Sequence, residues 1–357
     1  MSAQTELHTW LRDNADGLDQ TQDLAEEILP RLAAAGLFGI GVPQSLGGSG
    51  GDVRDAISAV ADIAEYSLTA AFVFWGHRTF IEYLLHSPNH ALAERQVASL
   101  VRGERAGATG LSNAMKFLSG IESLQIIATP QDEGWQLDGS LAWVTNLRKA
   151  GFIAAAAVAS TTDAPPAIVS FDSGYKGVQR SADLNLMALR SSNTAAVKLQ
   201  SVRIDPIDVI HADARQYLPA VRPSFLGLQC GMSIGLARAS LDAAHSLSAA
   251  SRNQLTARIE ELQRLLADTV AQLFEGVDDG RFKTKAAALF RIRILLAEIV
   301  QQAVSLELQA SGGRAYLQDG DKSFARRWRE SAFVPIVTPS LTQLQIELQK
   351  QAATQVA

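Results

Sequence analysis

Cysteine is nearly absent from this 357-residue chain: Cys230 stands alone, so no internal disulfide can form, and a reducing, cytoplasmic compartment is expected. Long apolar runs are missing too. No stretch approaches the ~18 uninterrupted apolar residues of a membrane-spanning helix, and none is expected to span a membrane. Residues Met1 to His8 show neither a basic nor an apolar signal region, so secretion is not expected. The net charge of -5 carries no excess of basic residues, which argues against nucleic acid as a partner. The six histidines, at 8, 77, 86, 90, 211 and 245, are scattered, and H-E-x-x-H and C-x-x-C spacings are missing, so no metal is expected. What remains is 47% hydrophobic and 19% charged, long enough for two or three domains with cores of their own.

Along the chain, residues 1–105 read as helical. Leu18, Leu24, Ile28, Leu29, Leu32 and Leu37 recur near helical spacing, Asn14 or Asp16 stands where a cap would precede Leu18, and Ala56 to Phe74 forms a second apolar stretch. Pro43 and Leu46-Gly-Gly-Ser-Gly-Gly51 break the pattern with a surface loop. Residues 106–212 change to short alternating runs, with strands expected at 153–159, 167–171 and 195–204. From 213 to 357 the helical texture returns, most clearly over 255–274 and 284–308, which Gly276 to Gly280 separate. Strands clustered between two helical regions favour a central β-barrel over an alternating βαβ sheet. The expected fold class is α+β and multidomain: an N-terminal α-helical domain, a central β-barrel and a C-terminal four-helix bundle.

The most informative segment is Gly134-Trp-Gln-Leu-Asp-Gly-Ser-Leu-Ala-Trp-Val-Thr-Asn146. Its Asp138-Gly139 dipeptide favours positive φ and predicts a hairpin turn between two short strands. Trp143, Thr145 and Asn146 then offer an aromatic plane and hydrogen-bonding groups to one ligand; an ordinary hairpin with a core tryptophan has the same pattern. The segment resembles the "G-x-x-L-x-G-x-K-x-W-[IV]-T-N" run of acyl-CoA dehydrogenases, in which a barrel strand sets these residues against a flavin. Other motifs of that family follow in order. Ala35 to Pro43 with Gly47-Gly-Ser-Gly50, Arg102-Gly-Glu104, Met187-Ala-Leu-Arg-Ser-Ser-Asn-Thr194, Val202-Arg-Ile-Asp-Pro206 and Gln309-Ala-Ser-Gly-Gly313 each resemble a family segment.

The resemblance implies an FAD site, or an FMN site, with Ser112, Asn113 and Ser119 on a loop at the flavin's edge and Trp143 and Thr145 on its face. Gln309, Gly312 and Gly313 are implied to reach the dinucleotide of a neighbouring subunit, which requires a homodimer or homotetramer. Other readings stay open: Ser112 and Asn113 suit an ordinary turn, and Gly312-Gly313 suits a helix C-terminus.

Several departures from the family concern the reaction. Its catalytic glutamate, a base that removes an α-proton from a thioester, falls at Thr338 of Val337-Thr-Pro-Ser340. A hydroxyl of very high pKa cannot take that role. The alternative acid position, within Arg222-Pro-Ser-Phe-Leu-Gly227, holds no carboxylate either. The "R-x-x-F-G" segment is missing, and Arg252 stands near its place, either as a phosphate donor or as a solvated arginine. The loop from Ser112 to Ser119 carries Met115, Lys116, Phe117 and Leu118 where relatives have small residues. His77, on a helix that faces the pocket in relatives, is a candidate proton-transfer group or a satisfied core histidine.

Three functions are consistent with this pattern. One is a flavin-dependent oxidoreductase acting on an acyl-CoA or related small molecule through His77 or Thr338. A second is a two-component monooxygenase that takes reduced flavin from a reductase and uses oxygen. The third is a degenerate member that only binds or pairs. A flavin reductase or an electron-transfer protein is the implied partner of the first two.

Overall fold

A computed structural model describes residues 2–118, 120–248, 253–317 and 322–356. Ser2 opens α1 (Ala3–Gln20) by accepting the Thr5 N–H at 3.2 Å, and Leu7, Leu11, Ala15 and Leu18 supply its buried stripe. Asn14 and Asp16 therefore lie inside the helix and cap nothing. The polar residues that dominate its first turns had hidden its start. After α2 (Ala25–Ala34), the chain crosses a loop in which Gly47, Gly50 and Gly51 take positive φ. An Asp52/Asp55 capping box then starts α3 (Val53–Tyr66). The apolar stretch expected over Ala56 to Phe74 is two helices. Ser67 adopts extended backbone, ends α3 and caps α4 (Leu68–Leu85) through Ala70 N–H at 3.3 Å. Nearly every side chain of α4 is buried, as expected of a helix apolar all round, and α5 (His90–Val101) follows.

The central segment comprises β1 (Ala106–Thr109), α6 (Ser112–Leu118), β2 (Ile126–Gln131), β3 (Gly134–Val144), β4 (Phe152–Ser160), β5 (Ala167–Asp172), β6 (Val178–Asp183), β7 (Ala195–Ile204) and β8 (Val209–His211). The hydrogen-bonded order is β6-β7-β3-β2-β4-β5-β8, with β1 also on β4. Among the described residues no pairing joins β6 to β8, so the sheet is open where a closed barrel had been expected. One edge of β4 is shared, pairing with β1 at Phe152–Ala155 and with β2 at Val158–Ser160, both in parallel. The run Phe-Ile-Ala-Ala-Ala-Ala-Val is buried on both faces, and its small side chains suit a strand covered on each side.

Asp138-Gly139 is not a turn. The chain reverses at Asp132, which takes φ 46°, and β3 runs straight through Gly139 at φ 144°. The pairing of β3 with β7 slips there, a bulge where a Cβ on Gly139 would come within 2.2 Å of the Gln125 carbonyl oxygen. The glycine marks a close strand approach with positive φ, the same preference that a turn would have used.

The C-terminal region comprises α7 (Ala214–Ser248), α8 (Asn253–Asp278), α9 (Ala286–Ser311), α10 (Ser323–Phe333) and α11 (Leu341–Val356). The three long helices pack on one another, α10 and α11 lie against α9, and α7 also packs along α3 and α4. That last crossing is very close. A Cβ on Gly235 would stand 2.0 Å from the Ala61 carbonyl oxygen and 2.6 Å from the Ala64 Cβ.

Overpacking of this kind costs about 1–3 kcal/mol, whereas the better helix propensity of alanine returns only about 1 kcal/mol. The variant Gly235→Ala is therefore expected to unfold at lower urea than wild type. An unchanged or higher midpoint would contradict the close crossing.

Candidate active site

Where the helical regions meet the sheet, a cavity of about 410 Å³ opens between α4, α6, the end of β3, the 186–194 segment, α7 and the chain from Arg329 to Thr338. Its floor is aromatic. Phe72 and Trp75 of α4 stack with centroids 5.6 Å apart, Phe72 meets Phe333 edge-on at 4.6 Å, and Trp75 lies 5.4 Å from Phe225 of α7. The Trp75 indole N–H reaches the Phe225 carbonyl at 3.4 Å, which fixes that ring. None of these four aromatics was singled out from the sequence. Phe72 and Trp75 sit in a helix whose all-round apolarity gives no preferred face, Phe225 lies in the 222–227 segment that was read only for a missing acid, and Phe333 belongs to no motif.

Trp143 reaches the cavity through a second register slip, between Leu141 and Val144, which turns its indole out of the strand's alternation. The ring is 63% exposed and contacts no other aromatic ring among the described residues. Thr145 follows it. The Thr145 hydroxyl lies 3.2 Å from that of Thr194, which lies 2.7 Å from Ser192 Oγ. Asn146 is structural. At φ 63° it donates to the Gly107 carbonyl at 2.9 Å, tying the end of β3 to β1. On the opposite wall, Ser112 Oγ donates to Thr338 Oγ1 at 3.0 Å.

The cavity thus gathers Ser112, Trp143, Thr145 and Thr338 from separate parts of the chain. It does not gather the others. Asn113 lies on the buried side of α6, where its side chain donates to Glu122 at 2.8 Å and to the Ser123 carbonyl at 2.9 Å and accepts the Gln125 N–H at 2.9 Å. Those bonds occupy its amide in holding the loop, so it offers nothing to the cavity. Gln309 is exposed beside Arg258, and Gly312 and Gly313 have open space around them, away from the cavity of their own chain. Ser119 and Arg252 lie outside the described residues.

His77 is on α4 but points away from the cavity. The Gly107 N–H can only donate, so His77 Nδ1 accepts it at 2.9 Å, and Nε2 carries the proton and donates to the Leu100 carbonyl at 2.9 Å. Phe38 covers the ring at 4.0 Å. Complete burial pushes the imidazole down to about 3, the Leu100 carbonyl opposing this and Arg78 adding to it. Both nitrogens are in use and neither meets the cavity. The histidine is a structural bridge from α4 to β1, and the resemblance misdirected attention to it because the helix is right and the face is wrong.

Among the residues lining the cavity there is no aspartate, glutamate or histidine. Its charged members, Lys116 and Arg329, are both cations already paired, with Glu122 at 3.4 Å and with Asp19 at 2.7 Å. Glu330, next in sequence to Arg329, is fully buried, offers nothing to the cavity and is bound to Arg326 and the Leu68 N–H.

Because the unfolded imidazole titrates near 6.5 and the folded one about 3, His77 adds stability that is present above 6.5 and lost as pH falls through that window. Urea stability is expected to decline below about pH 6.5 with a slope of up to about 1.4 kcal/mol per pH unit from this group. The variant His77→Gln should flatten that part of the profile. An undiminished slope would show that the imidazole is not buried in its neutral form.

Comparison with known proteins agrees with the geometry. Residues 2–104 match the model of the acyl-CoA dehydrogenase N-terminal domain. A 3-(aryl)acrylate reductase of Clostridium sporogenes is 23% identical over 325 residues, covering 85% of both chains. A short-chain-specific acyl-CoA dehydrogenase of Clostridium acetobutylicum is 21% identical over 324 residues, covering 85% of this chain and 83% of its own. Among solved structures, glutaryl-coenzyme A dehydrogenase in its glutaryl-CoA complex superimposes with a TM-score of 0.83 at 18% identity, over 99% of this chain and 94% of the other. KijD3, solved with FMN and a dTDP-linked keto sugar, does so with a TM-score of 0.81 at 19% identity, over 98% and 92%. Residues 2–104 thus carry an acyl-CoA dehydrogenase N-terminal domain, and the chain as a whole shares the fold of solved acyl-CoA dehydrogenases and is similar in sequence to relatives drawn from across that group.

Proposed function

We propose that this chain is a flavin-dependent oxidoreductase of the acyl-CoA dehydrogenase type, that it holds its flavin against Trp143, and that it works without a carboxylate base. The observation that supports the reading is the composition of the cavity: Ser112, Trp143, Thr145 and Thr338 are brought together and no Asp, Glu or His stands among the lining residues. The cavity fits the group. At about 410 Å³ it lies within the ~300–1,000 Å³ of small-molecule sites, and an exposed indole without a ring partner suits offset stacking on a planar heterocycle. A bound flavin supplies two-electron redox chemistry.

The chain's own residues then have separate roles. Trp143 orients the ring plane, and Thr145, backed by Thr194 and Ser192, presents a hydroxyl to its edge. Phe72, Trp75, Phe225 and Phe333 exclude water from the reacting face and favour an apolar substrate portion. Ser112 and Thr338 hydrogen-bond and position; as hydroxyls they do not abstract a proton near neutral pH. Gln309, held at the surface by Arg258 and Ser305, and the exposed Gly312 and Gly313 are where the flavin of a second copy would be met, so a homodimer or homotetramer is part of the proposal. An electron-transfer flavoprotein is the fitting redox partner, since the caffeyl-CoA reductase-Etf subunit CarC of Acetobacterium woodii is 23% identical over 337 residues, covering 89% of this chain and 86% of its own.

A second reading is a monooxygenase supplied with reduced FMN or FAD. The missing base favours it, because oxygen transfer does not require α-proton abstraction, and the fold accommodates FMN in KijD3. Loss of His77 from the cavity counts against it, since no imidazole remains there to move a proton.

Titration with FAD and with FMN, followed by the visible flavin band, tests the common core of both readings. Wild type should bind one of them, and Trp143→Ala should weaken binding about tenfold, the worth of an aromatic stack. A protein that takes up neither flavin sinks the proposal. Bleaching by acyl-CoA without oxygen selects the dehydrogenase, and product formed only with reduced flavin and oxygen selects the monooxygenase.

A further inference from the structure

Thr338 stands where the family's base is expected, and the residues behind it say what its hydroxyl is for. Arg293 of α9 and Gln229 of α7 are both fully buried. Arg293 Nε donates to Gln229 Oε1 at 2.8 Å, and its Nη2 donates to the Val334 carbonyl at 2.6 Å. Gln229 Nε2 in turn donates to the Thr338 carbonyl at 3.0 Å. A guanidinium has donors only, so the Gln229 oxygen must face it and the Gln229 amide N–H must face Thr338. The polarity of this chain of bonds has one solution. It also grips the Val334–Thr338 segment at both ends.

The side chain of Thr338 completes the pattern. Its oxygen accepts from Ser112 at 3.0 Å, which leaves its own proton for another partner. No described residue takes that proton, and Thr338 lines the cavity. The lining cations, Lys116 and Arg329, are donors as well. Arg293 meanwhile has no carboxylate among its described partners, and its Nη1 has none at all. An isolated buried charge is expensive, and two carbonyl groups could be held by neutral amides. What the guanidinium adds is a hold on both ends of the segment at once, directly at the Val334 carbonyl and through Gln229 at the Thr338 carbonyl, which fixes where the Thr338 side chain stands.

We propose that Arg293 and Gln229 are positioning residues that make Thr338 a fixed hydrogen-bond donor to the cavity, and that the substrate carries a carbonyl or other acceptor oxygen at that point. This rests on reading the cavity as the active site. In place of a base that removes a proton, the site presents a donor that polarises an oxygen.

The test compares acetophenone with ethylbenzene, two small aromatics that differ by the carbonyl oxygen, by calorimetry on the protein as purified and again after saturation with FAD. Wild type is expected to prefer acetophenone by up to about tenfold, the net worth of one hydrogen bond. Thr338→Val should abolish the preference. Gln229→Glu should abolish it too, because a carboxylate cannot donate to the Thr338 carbonyl, while its thermal midpoint is kept or raised by the counter-charge it gives Arg293. A merely structural role for Gln229 would leave the preference intact in that variant. Equal affinities in wild type, a preference that survives Thr338→Val or Gln229→Glu, or no binding of either compound overturns the proposal. A preference that holds in a protein unable to bind flavin would instead leave the donor in place and refute the redox reading.

Discussion

The carboxylate of Asp19 is the point on which the site's architecture depends. It sits fully buried on α1, accepts the Leu189 N–H at 2.9 Å and is held by Arg329 of α10 at 2.7 Å. One side chain thereby joins the first helix, the loop between β6 and β7 that lines the cavity, and the helix that leads to Thr338. Burial raises its carboxyl above the usual range, with the Leu189 and Arg329 bonds pulling the other way. Such a pair is costly to break because either partner left alone is a stranded charge or donor. It also explains how Leu189, a branched residue, tolerates φ 58°: the bond to Asp19 over-determines a conformation that the residue would not choose by itself.

Around that junction the cavity divides its labour between rings and hydroxyls. Four aromatics make a dry floor, one exposed indole makes a platform, and the polar groups are threonines, serines and cations. A site of this kind is suited to binding, orienting and polarising. The lining itself offers no group for proton abstraction, because His77 is locked between two backbone groups and the carboxylates around the cavity, Asp19, Glu122 and Glu330, are spent on Arg329, Lys116 and Arg326. Thr338 and the 222–227 segment, which the resemblance aligns with the family's base positions, carry no carboxylate, whereas Trp143 and Thr145 both line the cavity.

The buried ionic groups are not alike. Glu307 with Arg327 is a compensated pair that joins α9 to α10, and Glu330 with Arg326 is one within α10 whose carboxylate also accepts the Leu68 N–H of α4. Arg293 is the exception, charged and without an acid, and it is the one that reaches the segment carrying Thr338. Burial lowers its pKa from the ordinary value, which is the electrostatic cost of standing there. Compensated pairs serve cohesion; the uncompensated guanidinium holds the segment that carries Thr338.

The sequence by itself determined the order of helical, β and helical regions, the positions of β4, β5 and β7, and the presence of Trp143 on a strand with Thr145 just beyond it, because hydrophobic period and short motifs are local properties. It misjudged wherever one local preference serves two structures. Gly139 needs positive φ at a bulge as much as at a turn, and Ser67 splits an apolar run that periodicity alone joins. Whether β6 and β8 meet, which face of α4 lines the cavity and what stands behind Thr338 were decided only by tertiary structure. His77 and Trp75 are two residues apart on one helix, yet a rotation of about 200° puts one in the core and the other on the cavity wall. Arg293 and Gln229 are 64 positions apart and belong to no motif; the physical link between them is a hydrogen bond that exists only once α7 and α9 have packed.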